Sequence, residues 1–159
     1  MIQIRRNVFE TNSSSCHSVS LSKDVETDNN LIVIDDAVHC CADEFGWYPE
    51  DFTDAQTKLN YLITMAATTT VGTSWCDIAS DEEYVEDFIK TSEFEEIQNC
   101  VCKITGCNRL VVDSLYGYID HESVFVSMSN FLAYNNLTIE EYIFGNTILH
   151  IDNDNHQGD

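Results

Sequence analysis

The sequence predicts an α+β domain, and three observations predict it. Short apolar runs with strand-like alternation lie near both ends. The middle carries capping residues followed by apolar residues at helical spacing. The hydrophobic fraction, 43%, is enough for one core, and no repeat or linker interrupts the chain. The expected architecture is an N-terminal β-hairpin joined by late strands in one mixed sheet, packed by three to five helices. Residues 1–159 form one domain in this reading, with 152–159 a polar tail that frays.

Ile2, Ile4, Val8 and Phe9 mark a first strand that also carries Arg5 and Arg6. Asn12, Ser13, Ser14 and Ser15 can bond their own backbone and so favour a turn. Val19 and Leu21 then alternate with Ser18, Ser20 and Ser22, the pattern of a half-buried strand. Leu31-Ile32-Val33-Ile34, closed by Asp35-Asp36, reads as a buried strand because it is short, β-branched and continuously apolar. The stretch from Ala37 to Phe52 has no clear period. Its Phe45, Trp47, Tyr48 and Phe52 suit packing over the core.

Four capping boxes follow, each a Ser or Thr with Glu or Gln three residues on. Thr53 with Gln56 precedes Leu59, Leu62, Ile63, Ala66 and Ala67. Ser80 with Glu83 precedes Tyr84, Val85, Phe88 and Ile89. Ser92 with Glu95 opens a helix through Phe94, Ile97, Val101 and Ile104 that stops near Gly106. Thr138 with Glu141 opens a short helix stopping near Gly145. Leu110-Val111-Val112 reads as a strand, Ser127 to Tyr134 as a further helix, and Ile148 to Ile151 as the last strand.

Charge narrows the function classes. Seven Lys and Arg stand against 28 Asp and Glu, a formal net charge of −21. Such a surface repels phosphate backbones, so direct nucleic-acid binding is not expected. No run is long enough for a membrane span, and no apolar stretch follows the charged N-terminus, so the expected setting is the cytoplasm. Seven cysteines, an odd number with Cys40 and Cys41 adjacent, then read as buried thiols and not as a disulfide framework.

The stretch Phe9-Glu10-Thr11-Asn12-Ser13-Ser14-Ser15-Cys16-His17-Ser18 resembles the opening motif of a family of small phage and Firmicutes proteins, a basic strand followed by FETNSSSxHS. Tyr118-Ile119-Asp120-His121-Glu122-Ser123 and Asp152-Asn153-Asp154-Asn155 are similar to that family's later YIDHQS and GNDN motifs. Glu122 stands where the family has Gln, and Asp152 where it has Gly. The resemblance implies a phage or mobile-element origin and no particular activity. Inside a host cell, that means the host cytoplasm.

Two constellations compete for function. Ser13, Ser14, Ser15 and His17, with Asp120, His121 and Asp154, lie at the ends of predicted strands. Gathered together, they would supply nucleophile, base and orienter. The competing structural reading is turn chemistry plus His–carboxylate pairing. Arg5 and Arg6 beside the serine loop are candidate anion ligands. The second constellation is acidic: Asp81, Glu82, Glu83, Glu86, Asp87, Glu93, Glu95 and Glu96 line two consecutive helices. Spaced carboxylates can imitate a row of phosphates. A divalent-ion set (Asp120, His121, Asp152, Asp154, His156) lacks the glycine and glutamate of a calcium loop. A zinc set (His39, Cys40, Cys41, Cys100, Cys102, Cys107) lacks any C-x-x-C. No metal and no cofactor are expected.

The leading expectation is an acidic phage-type accessory protein. It would bind and block a basic, nucleic-acid-binding host protein such as a defence nuclease, with the Phe45–Phe52 aromatics as an exposed anchor. The alternative is a small enzyme or ligand-binding protein using the Ser/His/Asp segments. Neither reading decides the oligomeric state.

Overall fold

The computed structural model describes residues 17–23, 26–46, 49–72, 81–119 and 127–153. The segment Ile2–Phe9 expected as a first strand, the serine loop and Ser80, the expected cap of the second helix, lie outside them. The α+β class holds. The described elements are β1 (His17–Lys23), β2 (Val33–Ile34), β3 (Ala37–Cys41), β4 (Glu44–Phe45), β5 (Glu50–Phe52), α1 (Ala55–Thr70), α2 (Asp81–Phe88), α3 (Ser92–Thr105), β6 (Arg109–Ser114), β7 (Tyr118–Ile119), α4 (Met128–Asn135), α5 (Ile139–Phe144) and β8 (Thr147–Asn153).

The described strands fall into three hydrogen-bonded sets and not one. β8 sits between β1 and β5, antiparallel to both. β3 sits between β2, antiparallel, and β6, parallel. β4 and β7 form a short parallel pair. The split follows from the middle stretch, which was expected only to cover the core. Ala37–Cys41 is instead the central strand of the mixed sheet, with Val38 and Cys40 buried.

Leu31–Ile34 departs from expectation in the opposite way. Asp35 and Asp36 both have positive φ, 51° and 58°, as a two-residue type I′ hairpin turn requires. Among the described strands β2 pairs with β3 alone and so lies at a sheet edge, where Ile32, Val33 and Ile34 are half-exposed, not buried.

α1 joins the two larger sheets. Its apolar face, Leu59, Leu62, Ile63, Ala66 and Ala67, enters a core shared with Val38, Phe45, Ile97, Phe131, Tyr142 and Leu149. A second stripe on the same helix is polar. Gln56 Oε1 accepts from Ile32 N–H at 2.8 Å, and its Nε2 donates to His39 O at 3.0 Å. Asn60 Oδ1 accepts from Cys41 N–H at 3.2 Å, and Thr64 Oγ1 accepts from Asp43 N–H at 3.0 Å. Four helical residues rise about 6 Å and two strand residues about 6.7 Å. Every fourth side chain of α1 therefore meets every second residue from His39 through Cys41 to Asp43, and the helix stands in for the strand that β2 is too short to supply.

Two capping boxes are displaced by one residue. α1 is capped by Asp54, whose Oδ1 accepts from Thr57 N–H at 2.7 Å, because Gln56 is drawn away to β3. α3 is capped by Thr91, not Ser92. Thr91 Oγ1 accepts from Phe94 N–H and also donates to Phe88 O at the end of α2. Thr138 with Glu141 is a full box, and Gly106 is the left-handed stop of α3. Ser127 caps α4.

Candidate functional site

Of the Ser/His/Asp constellation, Ser13, Ser14, Ser15, Asp120, His121 and Asp154 lie outside the described residues, as do Arg5 and Arg6. His17 is described by its backbone alone. The ladder register sets His17 opposite Asn153 and Ser18 opposite Asp152. The exit of the serine loop and the start of the C-terminal tail therefore share one end of the β1–β8 pair. Ile119, just before Asp120, pairs with Phe45 on β4.

Two His–carboxylate pairs were not anticipated. His39 Nδ1 lies 2.9 and 3.1 Å from the two carboxylate oxygens of Asp113, joining β3 to β6. His150 Nδ1 bonds Asp51 across the β8–β5 pair. A carboxylate on Nδ1 fixes the ring and its tautomer, the first requirement of an imidazole base. The register also sets Ser20 opposite His150, so Ser20, His150 and Asp51 occupy one row across three strands. Leu149 and Ile151 are buried on the other face, so ordinary alternation produces the row. Only Ser20 was marked in the sequence, by the alternation of 18–22, and only the pairing joins position 51 to position 150.

The zinc set does not assemble. Among the described residues no group of three or more His, Cys, Asp or Glu is placed to hold a metal ion. The five described cysteines are free. Cys40 is buried, donates to Val111 O at 3.4 Å, and has its thiol pushed far up by desolvation and by Cys41 and Asp113. Cys41, Cys100, Cys102 and Cys107 are only half-buried, which corrects the expectation of core thiols. Burial, then Asp43 and Asp113, hold the Cys41 thiol protonated, the reverse of what a nucleophile needs.

The aromatic anchor is also corrected. Phe45 is buried, edge-on to Phe52 at 5.7 Å and Tyr61 at 5.1 Å. Trp47 and Tyr48 lie outside the described residues.

Six of the eight residues of the acidic constellation are exposed. Glu82, Glu83, Glu86 and Asp87 are exposed on α2, while Phe88 is buried beneath them. Only the backbone of Asp81 is described. Glu95 and Glu96 are exposed and Glu93 half-exposed at the start of α3. Phe88 packs against Phe94 with ring centres 5.5 Å apart, which fixes one helix against the next. The cation on this face, Lys90, is held by Asp87 at 3.1 Å. Carboxylates are not confined to it. Asp35, Asp36, Asp43, Glu44, Glu50, Asp51, Asp113 and Glu140 are exposed elsewhere.

Lys58 on α1 has no signal in the sequence, yet it is fully buried. Its Nζ donates to Gly145 O (3.2 Å), Thr147 O (3.4 Å) and Thr147 Oγ1 (3.3 Å). Desolvation pulls its pKa down to about 8, against the opposing pull of Asp54. A cation beside the last carbonyls of α5 suits the helix dipole, so Lys58 serves as a cap from inside the core.

Compared with protein-family models, curated proteins and solved structures, the chain matches none.

Proposed function

We propose that this is an acidic accessory protein that binds a basic, nucleic-acid-binding protein and occupies its nucleic-acid site. One observation carries the reading. The α2–α3 junction presents Glu82, Glu83, Glu86, Asp87, Glu95 and Glu96 from two helices that Phe88 and Phe94 lock together, and the cation there is tied to Asp87. A rigid row of carboxylates steers a cationic partner and loses that pull as salt is raised. A phage-type origin, with a host defence nuclease as target, would fit the resemblance of the opening motif. Pull-down from host lysate at low and high salt tests it. Capture of a basic protein at low salt, lost when Glu82, Glu83, Glu86 and Asp87 become Gln or Asn, is the expected result. Capture that ignores both salt and these substitutions overturns it.

A second reading, a small hydrolase, rests on the Ser20–His150–Asp51 row. It requires that an activated-ester substrate be turned over by the chain and that His150→Gln abolish turnover without lowering Tm. Equal rates for the two proteins remove it.

A further inference from the structure

We infer that the open edge of β2 is a strand-addition site for an extended segment of the partner, a short β-branched run with Lys or Arg at both ends. This rests on the reading above, and it supplies the anchor that the buried Phe45 cannot.

The argument starts from a conflict between pattern and position. An edge strand with one solvated face should alternate apolar and polar residues. Leu31-Ile32-Val33-Ile34 does not alternate, which is the pattern of a strand covered on both faces. Yet among the described residues β2 is the outer strand of its sheet, and Ile32, Val33 and Ile34 are 54%, 51% and 51% exposed. Natural edges of this kind are usually blunted by Lys, Pro or a bulge. Here no Lys or Pro occurs between residues 31 and 36, and the edge is blunted only by the shortness of β2 and by Asp35-Asp36 at its end.

Backbone geometry leaves the edge able to pair. In a two-residue hairpin the residues flanking the turn, Ile34 and Ala37, exchange hydrogen bonds, and the next pair, Val33 and Val38, does not. The bond from His39 N–H to Ile32 O, at 2.8 Å, continues that alternation. The N–H and C=O of Val33 therefore face away from β3, where an added strand would meet them.

Charge selects the occupant. Asp35 and Asp36 close one end of the apolar run, and Glu26 and Asp28 precede the other; all four are exposed. From Lys23 to Lys58 the chain has ten carboxylates and no intervening Lys or Arg. An added strand with cationic ends places them beside these carboxylates and covers the apolar centre. A second copy of this chain would bring the same carboxylates against themselves.

The test is amide NMR of the full-length chain titrated with three short peptides: Val-Ile-Val flanked by lysines, the same peptide N-methylated at its centre, and a glutamate-flanked version. The expected result is shifts centred on residues 31–36 with the lysine peptide, slower exchange of the Val33 amide, and weakening by salt. N-methylation or glutamate flanks should lower affinity about tenfold or more. Val33→Pro, which removes the outward donor, and Ile34→Thr, which keeps strand propensity, should do the same. Neutralising the α2 carboxylates should leave peptide affinity within about twofold, because that face is not the docking edge.

Shifts confined to α2 and α3, or equal binding of the N-methylated peptide, overturn the inference. So does a Val33 amide protected without peptide. Protection that persists on dilution would mean the chain covers its own edge; protection lost on dilution would mean a second copy does. Salt-sensitive capture that survives Val33→Pro sinks this inference and leaves the proposed function standing. Absence of any such capture by the unmodified chain sinks the function, whatever the peptide does at β2.

Discussion

α1 meets the two larger sheets in different ways, and the difference shows how a core helix can carry polar side chains. Toward β8 it sends one charge, Lys58, into a closed pocket of three oxygens from Gly145 and Thr147. Toward β3 it sends three neutral groups, Gln56, Asn60 and Thr64, each bonded to one or two backbone atoms. The ladder is matched donor for acceptor and shares its work among three residues. The charge concentrates its work in one residue and carries a desolvation penalty that its hydrogen bonds, Asp54 and the end of α5 offset only in part.

The largest effect should come from Lys58→Ala, which opens a cavity where the four-carbon stem packed and orphans the Gly145 and Thr147 carbonyls. A loss of about 3–4 kcal/mol in urea unfolding is expected. Lys58→Met, keeping the stem, should recover roughly half of that.

The charge itself can be read from pH. The folded pKa of Lys58, about 8, lies below its ordinary 10.5. Between these values the unfolded chain holds a proton that the folded chain has released, so raising the pH favours folding. Wild type should therefore gain on Lys58→Met from pH 8 to 10.5, by roughly 3 kcal/mol in full, and lose that gain as pH falls through 8. A difference that stays flat across this window would show that the charge carries no desolvation penalty.

On the other side, Asn60→Leu should cost about 2 kcal/mol, because Cys41 N–H loses its acceptor. Thr64→Val should cost about 1 kcal/mol through Asp43 N–H. The loss in the double variant should exceed the sum of the two single losses by little if the ladder is three independent rungs. A large excess would make it one cooperative unit.

Tyr142 supplies the smallest change. Its hydroxyl is the buried side-chain polar group without a partner among the described residues. Tyr142→Phe should leave the unfolding free energy unchanged or raise it by up to about 1 kcal/mol in urea unfolding, since only an unpaired group is removed.

These contrasts show where sequence reading succeeds. The Thr138–Glu141 box, the Gly106 stop and the strand over 18–22 are decided within a few residues, and the structure has them where local chemistry puts them. Thr53–Gln56 has the same pattern and fails, because Gln56 finds better partners at Ile32 and His39, distant in the chain. Leu31–Ile34 has the composition of an interior strand, and only the turn at Asp35–Asp36 and the shortness of β2 reveal an edge. The His39–Asp113 and His150–Asp51 pairs span 74 and 99 residues and leave no mark on any window of sequence. The acidic face of α2 was legible, since helical spacing alone separates Phe88 from the carboxylates around it.

What the chain's composition and local pattern settled alone is its α+β class, most helix positions and a surface dominated by negative charge. Those follow from periodicity, capping and a count of ionisable groups, all short-range quantities. Which strand is central, which apolar run is left at an edge and which lysine is buried came only with the folded chain. Each depends on a contact between residues far apart in sequence, where competing partners are weighed against one another and the better-satisfied hydrogen bond or the larger buried surface wins.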